Sequence, residues 1–454
     1  MNQPANTPLG PFGRLLTRLA PIETREIPAV LTAMCLFFCM FAGYFAVRPV
    51  RETVGTILGR ETVANLYLIT LLGALAIVPV YGWLVGRMRR SVLLPCVYGF
   101  IALSLALVGV AFLTGEPGRG LGMFFYVFIS VLNLFFVSVF WSFLLELFHS
   151  GQVKRLFGII AAGGTAGALA GPLLTDTIVT HVGNGVILLI GAGLFIVAIA
   201  FQRHLIVIWR SVPASGPSAG SGEAGASGIR GDRAIGGNPF AGFVRVFTSP
   251  YLLGIAAFVF LLASVSTFLY FEQLRLVEIN YPDVTERTRV FARIDWVVQT
   301  LTIIAQVFIT GRIASRLGLK VLLTLVPVAM IFGFLALASS GTFAVLAVVM
   351  VLRRAGEYAF VRPGREMLFS RLDTETKYKA KNLIDVPIYR AADAVTAQFQ
   401  KFFEGMGITA MAVALIGAVV AVLWSLTGWW LGRRHDRGSD AAVVPADAQE
   451  TRAV

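Results

Sequence analysis

The chain has 454 residues, of which 57% are hydrophobic and only 14% charged, with a mean hydropathy of +0.77. A soluble protein of this size is about a quarter charged, so an ordinary soluble globule is excluded and a polytopic helical membrane protein is expected. The net charge of +13 does not point to a nucleic-acid partner. The basic residues fall in short tracts between apolar runs, as the positive-inside rule requires.

Residues 1–27 read as a cytoplasmic segment. They lack a short apolar core followed by a small-residue cleavage site, so the first apolar run is expected to direct insertion itself. Twelve helices are then expected, at about 28–50, 61–86, 91–114, 121–148, 155–180, 185–209, 250–279, 289–314, 320–340, 342–370, 383–404 and 407–431. Runs such as Pro28–Val47, Ser91–Thr114 and Val321–Ser339 are each long enough to cross about 30 Å of hydrocarbon. Residues 211–245 are rich in Gly, Ala and Ser and read as a flexible cytoplasmic linker. They separate one six-helix bundle (28–210) from another (246–432), and the polar stretch 433–454 is expected to be a disordered cytoplasmic tail. The expected fold class is all-α, with about twelve transmembrane helices in two six-helix bundles.

The halves echo each other. Gly86-Arg87 and Gly311-Arg312, after the second and eighth runs, are 225 residues apart, and Lys154 and Lys379 share that offset. About 24 of the 38 Lys and Arg fall in the termini, the linker and the even-numbered loops, which puts both termini in the cytoplasm. Cys35, Cys39 and Cys96 all lie inside apolar runs and read as packing residues. The four histidines have no metal-ligand spacing, and there is no nucleophile–base pair or phosphate-cradling loop. No cofactor, metal or enzymatic activity is expected.

Charge inside the apolar runs carries the functional signal. The pentapeptide Arg-Pro-x-Arg-Glu occurs twice, as Arg48-Pro49-Val50-Arg51-Glu52 and Arg362-Pro363-Gly364-Arg365-Glu366, each copy closing an expected helix. An arginine at bilayer depth costs at least about 2.5 kcal/mol, so these residues need a reason, and a hydrated, anion-accepting cavity is one. In a fold of repeated bundles, the first helix of each three-helix unit commonly lines such a cavity. Here those helices hold Tyr44, Arg48 and Arg51 on one face of the first, and Asn133, Ser138, Ser142 and Glu146 on the fourth. The seventh holds Ser264, Glu272 and Arg275, and the tenth Arg353, Arg354, Glu357, Arg362, Arg365 and Glu366. The eighth adds Asp295, Gln299, Thr302 and Gln306, and the eleventh Asp385, Tyr389, Arg390 and Asp393.

Two readings stand side by side. These charges either pair with one another and only hold helices together, or they serve transport. On the second reading Tyr44, Arg48, Arg51, Asn133, Arg275, Arg353, Arg354, Glu357, Arg362, Arg365, Tyr389 and Arg390 are candidates for the substrate site. Arg353 and Arg354, near the midplane, would hold an anion by forked hydrogen bonds. Glu52, Glu146, Glu272, Asp295, Glu366, Asp385 and Asp393 are candidates for gating or coupling, and Asp385 or Asp393 for carrying a proton. Gly163, Gly167 and Gly171, spaced by four, read as a face for close helix packing. Trp141 reads as core, with base stacking as the alternative.

The loops Gly86-Arg87-Met88-Arg89-Arg90 and Gly311-Arg312-Ile313-Ala314-Ser315-Arg316 resemble the basic loop of the major facilitator superfamily. Gly43-Tyr44-Phe45-Ala46-Val47-Arg48-Pro49-Val50-Arg51-Glu52, Phe140-Trp141-Ser142-Phe143 and Lys154-Arg155-Leu156-Phe157-Gly158-Ile159-Ile160-Ala161-Ala162-Gly163-Gly164 resemble the bacterial branch of the ATP:ADP antiporter family. So do the second Arg-Pro-x-Arg-Glu and Lys377-Tyr378-Lys379-Ala380-Lys381-Asn382-Leu383-Ile384-Asp385. The resemblance implies a major-facilitator-like fold, a bacterial inner membrane, a monomer, and exchange of small anions such as ATP, ADP or phosphate. One departure is clear: family members carry a pattern like Arg-Asp-Thr-Lys-Asp in the first helix, where this chain keeps the second positive charge as Arg51 but has Pro49 in place of the acid. The alternatives are a proton-coupled transporter of another solute, and a receptor or scaffold with a transporter fold.

Overall fold

The computed structural model describes residues 23, 26–115, 118–148, 150–211, 246–372 and 380–441. The side chains of some helical residues, Asn133, Glu146 and Lys154 among them, lie outside that description, as do Lys379, most of the linker and the ends of the chain. Every element among the described residues is helical.

The order is α1 (Ile27–Leu58), α2 (Arg60–Arg87), α3 (Arg90–Thr114) and α4 (Arg119–Leu147). A continuous run, Ser150–Ser211, follows and is divided by Gly183 at φ 80°, ψ 168° into α5 (150–182) and α6 (184–211). That positive φ is open to glycine at no steric cost, so one residue turns the chain without a loop. Then come α7 (Pro250–Asn280) and, divided in the same way by Gly318 at φ 76°, α8 (284–317) and α9 (319–340). The set ends with α10 (343–368), α11 (384–405) and α12 (Ala410–Ala441). Among the described residues these twelve helices match the expected number and order.

Several boundaries move. α1 runs on to Leu58, so the first Arg-Pro-x-Arg-Glu lies inside a helix instead of closing one. A proline removes a single ladder bond, and packing along α1 carries the helix past it. α8 starts at Val284 because Asp283 caps it, accepting from the Glu286 amide at 2.8 Å. Hydrogen bonds from the Thr285 hydroxyl and that amide hold the Asp283 carboxyl below the usual carboxylate range. The cap therefore stabilises above its unfolded pKa of about 4 and is lost as pH falls through its folded value. Asp283→Ala is expected to cost about 1 kcal/mol, read as a lower melting point at neutral pH, with the difference from wild type shrinking below about pH 4. At the other end, the stretch from Arg433, read above as disordered, continues α12 to Ala441.

Helix contacts follow from small residues and stray carbonyls. A Cβ at Gly163, Gly167 or Gly171 of α5 would strike the backbone carbonyls of Met34, Phe38 or Ala42 of α1. Thr175 extends that seam, its hydroxyl donating to the Ala46 carbonyl at 2.9 Å. Gly167→Val is therefore expected to force α1 and α5 apart, costing about 1–3 kcal/mol and lowering the yield of monodisperse protein in size-exclusion chromatography. In α3, Pro95 has no N–H to offer the Ser91 carbonyl four residues back. Gln202 of α6 supplies the missing donor at 3.0 Å. Trp141 sits in an aromatic cluster, 4.8 Å from Phe157 and 5.3 Å from Phe37 between centroids.

By contacts the chain forms two compact units that do not coincide with the two halves of the sequence. One holds α1 through Arg51, Pro79–Leu121 and Phe128 onward to the end of α6. The other holds Glu52–Val78, Gly122–Val127 and everything from α7 on. Inside this second unit, Val63, Leu66 and Tyr126 share a buried cluster with Tyr270, Leu274, Phe291 and Ala397. Polar contacts reinforce it. Arg60 pairs with Glu404 at 2.6 Å, Lys401 with Glu61 at 3.1 Å, and Gln398 donates to the Ala64 carbonyl at 2.9 Å. Thr53 meets Thr288 at 2.7 Å, Arg287 donates to Thr56 at 3.0 Å, and the Tyr126 and Tyr270 hydroxyls lie 2.8 Å apart.

Candidate functional site

The densest intramembrane charge lies in the second unit, on α10 and the helices against it. Gly356 and Gly364 let α10 press on α9, their Cβ positions meeting Val326 and Leu322 or Leu323. Residues two away from each glycine, Tyr358 and Arg362, accordingly fall on the other side of α10. Arg353 and Glu357 pair across one turn at 2.9 Å, with side chains 7% and 8% exposed. The second carboxylate oxygen of Glu357 lies 3.5 Å from Arg362, whose side chain is 56% exposed. One carboxylate thus serves two guanidiniums, and a positive charge is left over at the exposed one. The Arg362 guanidinium also lies over the Tyr358 ring, 4.4 Å from its centroid.

Neighbouring helices extend the network. Arg354 pairs with Asp295 of α8, both buried. Arg365 faces Asp385 of α11 at 3.3 Å, and Glu366 binds Lys381 at 2.6 Å. Asp393 of α11 accepts from Thr267 of α7 at 2.9 Å and from Arg390 at 3.2 Å. The Arg390 guanidinium lies over the Tyr389 ring at 5.8 Å. Thr396 donates to Ser264 at 2.9 Å on the same α7–α11 contact.

Within this network some buried donors meet no acceptor. Nε of Arg353, Nη2 of Arg354 and Nε of Arg365 are out of reach of solvent and make no hydrogen bond. An unfilled buried donor costs about 1–3 kcal/mol, more when charged, and in the same network the carboxylate oxygen Oδ1 of Asp385 makes no hydrogen bond either. Guanidinium forks select carboxylate or phosphate oxygens.

The remaining expected residues have partners within their own units. In the first unit, Arg51 donates to Ser130 at 3.1 Å, and Arg48 lies over the Phe45 ring at 5.9 Å. Tyr44 is 4% exposed and packs on Phe136, centroids 5.1 Å apart. In the second unit Glu52 is buried, and Arg275 forms a two-pronged pair with Glu272 at 2.9 and 2.5 Å. The side chains of Asn133 and Glu146 lie outside the described residues. Sequence reasoning passed over Tyr358, Thr267, Thr310 and Lys381. A polar residue at a single helical position has no periodic signal, and only contact with a charged partner on another helix brings it out.

Residues 32–365 match the family model described as Major Facilitator Superfamily. The chain is 20% identical over 515 aligned positions to ADP,ATP carrier protein 2 of Chlamydia pneumoniae, covering 97% of this chain and 95% of that protein. Among solved structures it superposes on the nucleoside transporter NupG with a TM-score of 0.61 at 14% identity, covering 90% of this chain and 99% of the other. It also superposes on an inward-facing, unoccupied bacterial homolog of the human lysosomal transporter Spinster, with a TM-score of 0.60 at 12% identity over 92% and 98% of the two chains. These structures share the fold.

Proposed function

This chain belongs to the Major Facilitator Superfamily, and from that premise we propose that it is a secondary transporter exchanging nucleotides or related phosphorylated anions by alternating access. The observation that carries the reading is the set of buried guanidinium donors on Arg353, Arg354 and Arg365 that lack acceptors beside the half-exposed Arg362. Guanidinium N–H groups are strong partners for phosphate oxygens. The carrier from Chlamydia pneumoniae, similar over nearly its whole length, supports the choice of nucleotide. Arg48, Arg51, Tyr44, Asn133, Arg275, Glu357, Tyr389 and Arg390 complete the proposed substrate path. Glu52, Glu146, Glu272, Asp295, Glu366, Asp385 and Asp393 trade partners as it opens and closes. The protein works in the bacterial inner membrane with both termini inside.

In that orientation the contacts around Arg60–Glu404 and Glu61–Lys401 act as the outer gate. These pairs are part-exposed, at 29% and 27% for Arg60 and Glu404, so each contributes only about 0.2–1 kcal/mol. Arg60→Ala is expected to change the exchange rate less than about fivefold, while Tyr270→Ala, inside the buried cluster, should change it more. Initial rates in vesicles check both.

A second reading is favoured by Asp393, a buried carboxylate held by Thr267 and Arg390: proton-coupled uptake of another solute. Counterflow of labelled ATP, ADP and phosphate in liposomes, with and without a pH gradient, separates the two. Uptake that requires nucleotide on the far side supports exchange. Uptake that follows only the pH gradient supports proton coupling, and no uptake of any of the three removes the nucleotide reading.

A further inference from the structure

Helices α8 and α10 each contain a π turn, Gln306–Thr310 and Glu357–Val361, and the two turns touch. Pro363 follows the one in α10. Lacking an N–H, that residue leaves the Ala359 carbonyl four positions back without its helical donor. The Arg362 amide meanwhile donates to Glu357, five positions back, and so deserts the Tyr358 carbonyl as well. Inside a membrane both carbonyls must find partners in the protein. Both find them on α8: Thr310 donates its hydroxyl to Ala359 at 2.9 Å, sharing it with the Ala305 carbonyl of its own helix at 3.1 Å, and Gln306 its amide to Tyr358 at 3.1 Å.

We infer that Gln306 and Thr310 are positioning residues, holding α10 in its widened register and thereby fixing where Arg362 and Arg365 stand relative to Arg353 and Arg354. A π turn accommodates one extra residue. Closing it into α-helix turns everything after it by about 100°, which takes Arg362 away from Glu357 and Arg365 away from Asp385. The α8 side chains do not touch an anion held by those arginines. They act through the backbone of α10, and the inference rests on the reading of the α10 arginines as the substrate site.

The register has its own readout. Met367 is 39% exposed and Leu368 fully buried, and closing the turn moves Met367 toward the place that Leu368 now holds. In full-length protein with Cys35, Cys39 and Cys96 replaced by alanine, Met367→Cys should react readily with a small maleimide and Leu368→Cys should not. Adding Gln306→Leu and Thr310→Val should slow labelling at 367 at least fivefold. It should also raise KM for ATP at least tenfold in ADP-loaded vesicles, with little change in kcat. Thr310→Ser should keep both properties.

Unchanged labelling in the Gln306/Thr310 variant overturns the inference, and so does altered labelling with an unaltered KM where Arg362→Ala raises KM. Arg362→Ala, assayed in parallel, keeps the two ideas apart. If it raises KM while the α8 variants do not, positioning fails and the substrate site stands. If it leaves KM unchanged, the substrate site fails, and labelling alone decides the register.

Discussion

Arg354→Ala is expected to be among the most damaging single substitutions in the second half of the chain, lowering stability by about 3–5 kcal/mol and stopping exchange. Arg354 and Asp295 are 6% and 5% exposed, so neither charge has water to fall back on. Removing Arg354 takes away a buried ion-pair partner of Asp295, whereas removing both together relieves most of the penalty. The double variant Arg354→Leu with Asp295→Leu should therefore melt near wild type in detergent. Its transport then separates two roles. Exchange that returns with stability would make the pair a strut between α8 and α10. Exchange that stays lost in a stable protein would mean that the Arg354 guanidinium, with its unfilled Nη2 donor, meets the substrate.

Arg362→Ala should have the opposite profile. Its side chain is 56% exposed and shares Glu357 with Arg353, so the carboxylate keeps a partner when Arg362 goes. Stability should hardly change. Hydrogen bonds to charged groups contribute about 1.5–3 kcal/mol, so KM for ATP and ADP should rise roughly 10- to 150-fold. Arg362→Lys should fall between, because an ammonium keeps the charge but loses the planar fork. Adding salt should lower affinity in the wild type and much less in Arg362→Ala. Equal KM in the two proteins would remove Arg362 from the substrate path.

Particular residues mark how far the sequence could be read. Arg353 and Arg354 were recognisable as deep, since ten residues into a helix at 1.5 Å each is the middle of a bilayer. Their pairing with Glu357 and Asp295 was half visible. The i,i+4 spacing suggests the first, while nothing local indicates that Asp295, 59 residues upstream, reaches the second. Pro363 advertised a stray carbonyl at Ala359, but not that Thr310 would fill it. The first Arg-Pro-x-Arg-Glu looked like a helix end because charge and proline arrive together. Packing around α1 overrules that local signal and carries the helix on to Leu58.

From the sequence alone came the membrane class, the number and order of the helices and the positions of the buried charges. Those are properties of hydropathy, period and spacing, which each segment holds by itself. Only the tertiary structure decided which carboxylate neutralises which arginine, which guanidinium remains partly open, and which carbonyls α8 must serve. Those outcomes depend on what another helix brings within about 3 Å, and a hydrogen bond or ion pair in low dielectric is made or lost over that distance.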